Sequence, residues 1–203
     1  TFGRRLPNRQ EPRYAQRELL IGIAGGLFTS RLNTSLREEH AWTYGVFARQ
    51  SPSRRWNALV GAASVETAHA VEAWQETQRV LRDLSTVAPP STEELRRAQA
   101  DLRGRLGAAL GDVERLSERV ARVYSEGLPP GWFGTLLTQA EQTPLPALLE
   151  LGPELSPENL SAVMVGDATV LEPVLAQRGV PYRLISDPFG QSPPASAASP
   201  SPH

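Results

Sequence analysis

The chain has 203 residues, with 21 basic side chains that are all arginine, 22 acidic ones, three histidines and no cysteine, for a formal charge of −1. A 40% hydrophobic share supplies a core for one domain or two small ones. The absence of cysteine removes disulfides, thiol catalysis and thiolate metal sites, and the balanced charge argues against a nucleic-acid or membrane-surface binder.

The chain begins at Thr1, and Phe2 and Leu6 are too sparse to form a signal peptide's apolar stretch, so it reads as a piece of a longer polypeptide. From Pro12 to Arg37, apolar residues at helical spacing (Tyr14, Leu19, Leu20, Ile23, Leu27, Leu32, Leu36) predict one long or broken helix that bends at Gly25-Gly26. Its longest apolar run, Leu19 to Phe28, falls short of the ~20 residues a membrane span needs and is broken by Gly22, Gly25 and Gly26. Trp42 to Arg49 alternates as a strand, with Trp42, Tyr44, Val46 and Ala48 expected on one side. Trp56 to Val65 reads as a second strand, and the intervening turn residues predict an antiparallel hairpin.

Helical spacing resumes from Glu66 to Ser85 and stops at Pro89-Pro90. Ser91 and Glu94 then form a capping-box pattern, Ser at the N-cap and Glu three residues on, for a helix running to about Leu110. Further helices are expected over Asp112–Ser125, Gly131–Ala140, Leu145–Glu150 and Asp167–Gln177, with strands over Leu160–Gly166 and Tyr182–Ile185. The resulting class is α+β, with a largely antiparallel sheet packed with helices on one side. One domain is expected over residues 1–187, followed by a Pro/Ser/Ala-rich tail over 188–203 that reads as disordered.

Few residues could carry chemistry by themselves. His40, His69 and His203 show no paired ligand spacing, and His69-Ala70-Val71-Glu72-Ala73 keeps only the first part of the zinc pattern H-x-x-E-H, with Ala73 in the second histidine's place. No serine has an identifiable activating partner. Gly22-Ile23-Ala24-Gly25-Gly26 lacks the G-x-G-x-x-G spacing of a nucleotide loop and lies inside a helical pattern. On residue chemistry alone, Arg37 would pair with a nearby glutamate and Tyr44 would pack in the sheet.

One segment does more. Gly25-Gly26, Ser30-Arg31-Leu32, Leu36-Arg37-Glu38 and Tyr44-Gly45 follow one another in register over about twenty residues. Together they resemble the C-terminal, non-catalytic domain of the inverzincin zinc peptidases, the family of pitrilysin, insulinase and mitochondrial processing peptidase. The resemblance extends more weakly from Phe2 to Ile185, with the domain's opening strand clipped to Phe2–Leu6. It implies that Arg37 and Tyr44, seven residues apart, reach toward substrate beside a zinc site held by an H-x-x-E-H domain or subunit. This chain itself would bind no metal or other cofactor, and its partners would be that catalytic domain and a peptide substrate, with no nucleic acid and no membrane span. Gly25, Gly26, Ser30, Arg31 and Leu32 would be structural, the glycines permitting close helix-to-sheet approach. Trp42 departs from the smaller or glycine-plus-aromatic pairs common just before the family tyrosine. The implied setting is exported, as in periplasmic bacterial peptidases of this family. A relative kept only for structure or assembly is the competing reading.

Overall fold

The computed structural model describes residues 1–185. Four strands, β1 (Phe2–Leu6), β2 (Thr43–Gln50), β3 (Asn57–Val65) and β4 (Ser161–Ala162), form a sheet in the order β2-β3-β1-β4 with every pairing antiparallel. The hairpin forms as its turn chemistry predicts: Ser51 and Ala58 exchange backbone bonds at the strand ends, and the Ser53 amide donates to the Trp56 carbonyl. The fold is α+β, as the alternation of patterns implied.

The first helical stretch is broken into pieces. Helix α1 (Tyr14–Ile21) widens into a π-helical turn over Gly22–Gly26, and α2 (Arg31–Asn33) widens likewise over Thr34–Glu39. Next come α3 (Ala70–Ser85), α4 (Thr92–Ala108), α5 (Val113–Glu126), α6 (Trp132–Glu141), α7 (Leu145–Leu149) and α8 (Ala168–Gln177). The α4 start carries the full capping box: the Glu94 amide donates to Ser91 Oγ at 3.2 Å, and the Ser91 amide donates to Glu94 Oε2 at 2.8 Å.

One face of the sheet is covered and the other open. Phe2, Leu6, Val46, Ala48 and Leu59 are buried in the same core as Leu19, Leu20, Ile23, Leu32, Leu36, Leu81 and Leu84, so α1, α2 and α3 pack on that side. On the opposite face, strand alternation places Phe47 and Arg49 of β2 beside Ala62 and Val60 of β3, with Arg5 of β1 beside Ala58.

Three expectations need correction. Of Leu160–Gly166 only Ser161–Ala162 is strand, because β4 has just two partners, Phe2 and Gly3, on the short β1 edge. Tyr182–Ile185 alternates in sequence but is not a strand, as no edge pairs with it. Tyr44 does not share the covered side with Val46 and Ala48. Thr43 pairs with Val65 and Val46 with Ala63, three steps on β2 against two on β3, so one extra residue is inserted and the alternation breaks at Tyr44-Gly45. The tail expected to be disordered, 188–203, lies outside the described residues.

Candidate functional site

The site is assembled where the helix leaving the glycine pair turns back into β2. A Cβ added at Gly25 would stand 2.8 Å from Ala48 Cβ and 3.0 Å from Leu32 Cδ1, and one at Gly26 would stand 2.9 Å from the Ala48 carbonyl oxygen. Only glycine lets the backbone approach β2 so closely. Leu32, fully buried, fills the space beside that contact.

Ser30 caps α2, accepting from the Asn33 amide at 3.4 Å. Arg31 turns away from the sheet. Its guanidinium forks onto Glu94, at 2.7 Å to Oε1 and 2.8 Å to Oε2, and donates to the carbonyls of Ala88 and Pro89. It therefore binds the helix start of α4 to the site rather than facing solvent. Burial pushes the Glu94 carboxyl upward, but Arg31 and the Ser91 donors outweigh it and hold the pKa down at about 2.

Asn33 is the residue that sequence reasoning passed over. Its buried side chain accepts from the Val46 amide at 2.8 Å and donates toward the carbonyls of Val46 and Leu27, each at 3.0 Å, and Ser30 Oγ at 3.1 Å. Val46 is the residue after the bulge, so Asn33 satisfies both of its backbone groups where the ladder is interrupted. Thr43 secures the other side: its hydroxyl lies 2.8 Å from the Ser64 carbonyl oxygen and 3.0 Å from that of Gly45, and accepts from the Gly45 amide at 3.2 Å. The only sequence signals were a polar residue between buried Leu32 and Leu36, and a glycine inside a strand.

Held this way, Tyr44 stands clear of the protein, fully exposed at 102% of its reference area. Arg37 comes from the π-helical turn of Thr34–Glu39, and the chain then passes through Ala41 in the left-handed region, φ 54°. The Arg37 guanidinium lies 3.9 Å from the ring centroid of Phe28 and donates to Glu38 Oε1 at 2.6 Å. Phe28 is itself exposed, and it was not singled out from sequence. Arg37 thus has the neighbouring acid that residue chemistry alone implied, whereas Tyr44 is not packed in the sheet.

Trp42 carries both histidines that sequence separation kept apart. His40 stacks on it at 4.1 Å with planes 10° apart, and His69 stacks at 5.6 Å with planes 17° apart. Glu72, the other member of the partial zinc pattern, instead accepts from Arg178 at 2.9 Å. Among the described residues no cluster of three or more His, Asp or Glu side chains could hold a metal ion, and no helix is long and apolar enough to cross a membrane.

Residues 1–102, which include every element of this site, match the model of the peptidase M16 inactive domain. The chain belongs to that family. Solved structures share the fold. One is the peptidase M16 inactive domain from Pseudomonas fluorescens, at 19% identity and a TM-score of 0.67, covering 78% of this chain and 38% of that one. Another is the inactive peptidase domain of a proposed zinc protease from Bordetella parapertussis, at 20% identity and a TM-score of 0.68, covering 79% of this chain and 87% of that one. A third is a ferredoxin protease mutant in complex with Arabidopsis ferredoxin, at 16% identity and a TM-score of 0.57, covering 78% of this chain and 18% of the other. This inactive domain therefore spans well under half the length of the first and third of these. No curated protein matches the chain.

Proposed function

We propose that this M16 inactive domain is the zinc-free half, or inactive partner subunit, of a clamshell metallopeptidase, and that it presents Arg37 and Tyr44 to a peptide held against a catalytic H-x-x-E-H domain. The observation that carries this reading is Tyr44: a bulge clamped by Asn33 and Thr43 lifts a phenol fully into solvent, where packing gives no reason for it to be. The tyrosine hydroxyl donates to the scissile carbonyl oxygen as negative charge develops on it. Arg37 holds a neighbouring peptide carbonyl. Its pair with Glu38, half exposed, is weak enough to be exchanged for substrate at little cost, and Phe28 keeps the guanidinium flat and pre-oriented. The zinc of the catalytic partner would supply the activated water. That a protease sharing this fold is solved in complex with a protein supports a polypeptide as the occupant.

The test is peptide cleavage by the H-x-x-E-H partner with this chain added. Tyr44→Phe should reduce the rate by about 10²-fold, the scale of losing one oxyanion donor, and Arg37→Ala should weaken substrate binding. Unchanged rates in both variants refute the assignment. The existing Arg37–Glu38 pair also fits a second reading, an assembly relative with no substrate role, and that reading gains if cleavage needs the chain but neither side chain.

A further inference from the structure

The sheet contains a charge asymmetry that the composition hides. Although the protein is nearly neutral overall, residues 42–65, which form β2, the hairpin turn and β3, contain Arg49, Arg54 and Arg55 and not one Asp or Glu. Strand β1 adds Arg4 and Arg5, again without an acid. Arg4 lies on the covered side, where Nη1 donates to the Glu154 carbonyl at 2.6 Å. Arg5, Arg49, Arg54 and Arg55 are exposed, and among the described residues none of them forms an ion pair with an acid. Elsewhere in this protein arginines are commonly paired, as with Arg79 between Glu76 and Asp83 and Arg96 and Arg97 on Glu93. Glu118 and Glu126 line a groove at the strand edge together with Arg49, and Glu126 is already held by Arg9 at 2.6 Å and faces Arg122 at 3.9 Å.

Arg5 and Arg49 share the face to which the bulge turns Tyr44, and Arg54 and Arg55 stand exposed in the hairpin turn at its end. Tyr44-Gly45 oppose Ser64, and the pairs Phe47–Ala62 and Arg49–Val60 continue along the same side toward the turn with Arg54 and Arg55. The floor between them is made of small side chains, Gly3, Ala58, Val60, Ala62 and Ser64. We infer that this open face is a binding wall for an acidic polypeptide segment, so that the substrates presented to Arg37 and Tyr44 carry Asp or Glu several residues from the bond that is cut. From Tyr44 to Arg49 is roughly 17 Å at about 3.4 Å per residue, so the acids would lie about five or more positions away in an extended chain. The inference rests on the proposed function for the place of cleavage, but the charge recognition stands on the sheet alone.

The experiment measures binding to the full chain without any catalytic partner. The probes are a rhodamine-labelled peptide with a block of Asp and Glu and its Asn/Gln counterpart, read by fluorescence anisotropy. Expected are binding of the acidic peptide only, weakening as salt rises, and about tenfold weaker binding for the triple Arg49→Gln, Arg54→Gln, Arg55→Gln variant, with substantial recovery when the same positions are lysine. Equal binding of the two peptides overturns the inference. So does unchanged affinity in a triple variant whose circular dichroism and melting temperature match the parent. Equally tight binding of single-stranded DNA of matching charge also overturns it, because the face would then be a general polyanion surface. The cleavage assay with Tyr44→Phe is a separate readout, so failure of the catalytic reading and failure of acidic recognition are distinguishable.

Discussion

Asn33→Ala is the substitution that most sharply separates the bulge from the rest of the fold. One amide group lies within bonding distance of four partners: it accepts from the Val46 amide, and it donates toward the carbonyls of Val46 and Leu27 and toward Ser30 Oγ. Two N–H hydrogens serve the three acceptors, so the side chain provides about three full bonds, worth about 1 kcal/mol each net. Alanine also leaves the Val46 amide without its partner, a further cost of about 1–3 kcal/mol. The expected loss is about 4–6 kcal/mol, a large part of a domain's usual stability of about 5–15 kcal/mol. Urea unfolding followed by tryptophan fluorescence should show the midpoint lowered by about 2 M. Asn33→Asp keeps the acceptor but loses the donors, so it should retain the Val46 amide bond while placing a carboxylate against the Val46 carbonyl. A loss below about 1 kcal/mol for alanine would refute the claim that Asn33 holds the bulge.

Further outcomes follow from the same contacts. Gly25→Ala should destabilise by about 1–3 kcal/mol, because the new Cβ meets Ala48 Cβ at 2.8 Å with little room to move, and thermal melting would detect it. Acid titration should expose the Arg31–Glu94 link. The folded Glu94 pKa is depressed to about 2 from an ordinary 4.5, so its contribution is complete above pH 4.5 and is lost as the pH falls toward 2. In Arg31→Gln that segment of the stability–pH curve should flatten, and an unchanged curve would contradict the assigned cause. Arg37→Lys keeps charge but loses the planar contact with Phe28, so cleavage by the reconstituted peptidase should fall, whereas Arg96→Lys, on an exposed helix face with Glu93, should be silent.

Much of the fold was legible because it rests on local chemistry. The capping box at Ser91, the hairpin turn and the break at Gly25-Gly26 are each specified by residues within a few positions of one another. The site was only half legible. Alternation placed Tyr44 beside Val46, since a strand pattern read from sequence assumes an unbroken period of two. One inserted residue reverses the side chain, and the ladder that registers it lies on β3, twenty residues away. Asn33 was missed for the same reason, because the two bonds that hold the bulge run to Val46 on β2, thirteen residues away. Tyr182–Ile185 shows the converse: alternation marks a segment able to pair, and pairing also needs a free edge.

The central claim is that Tyr44 acts on the reacting carbonyl from across a domain boundary. It is tested most directly by steady-state kinetics of the H-x-x-E-H partner combined with this chain, comparing wild type with Tyr44→Phe. The account predicts that kcat falls by about 10²-fold with KM little changed, because the hydroxyl bond is made mainly in the transition state. Unchanged kcat, with the variant folded and still associated with its partner, would contradict it.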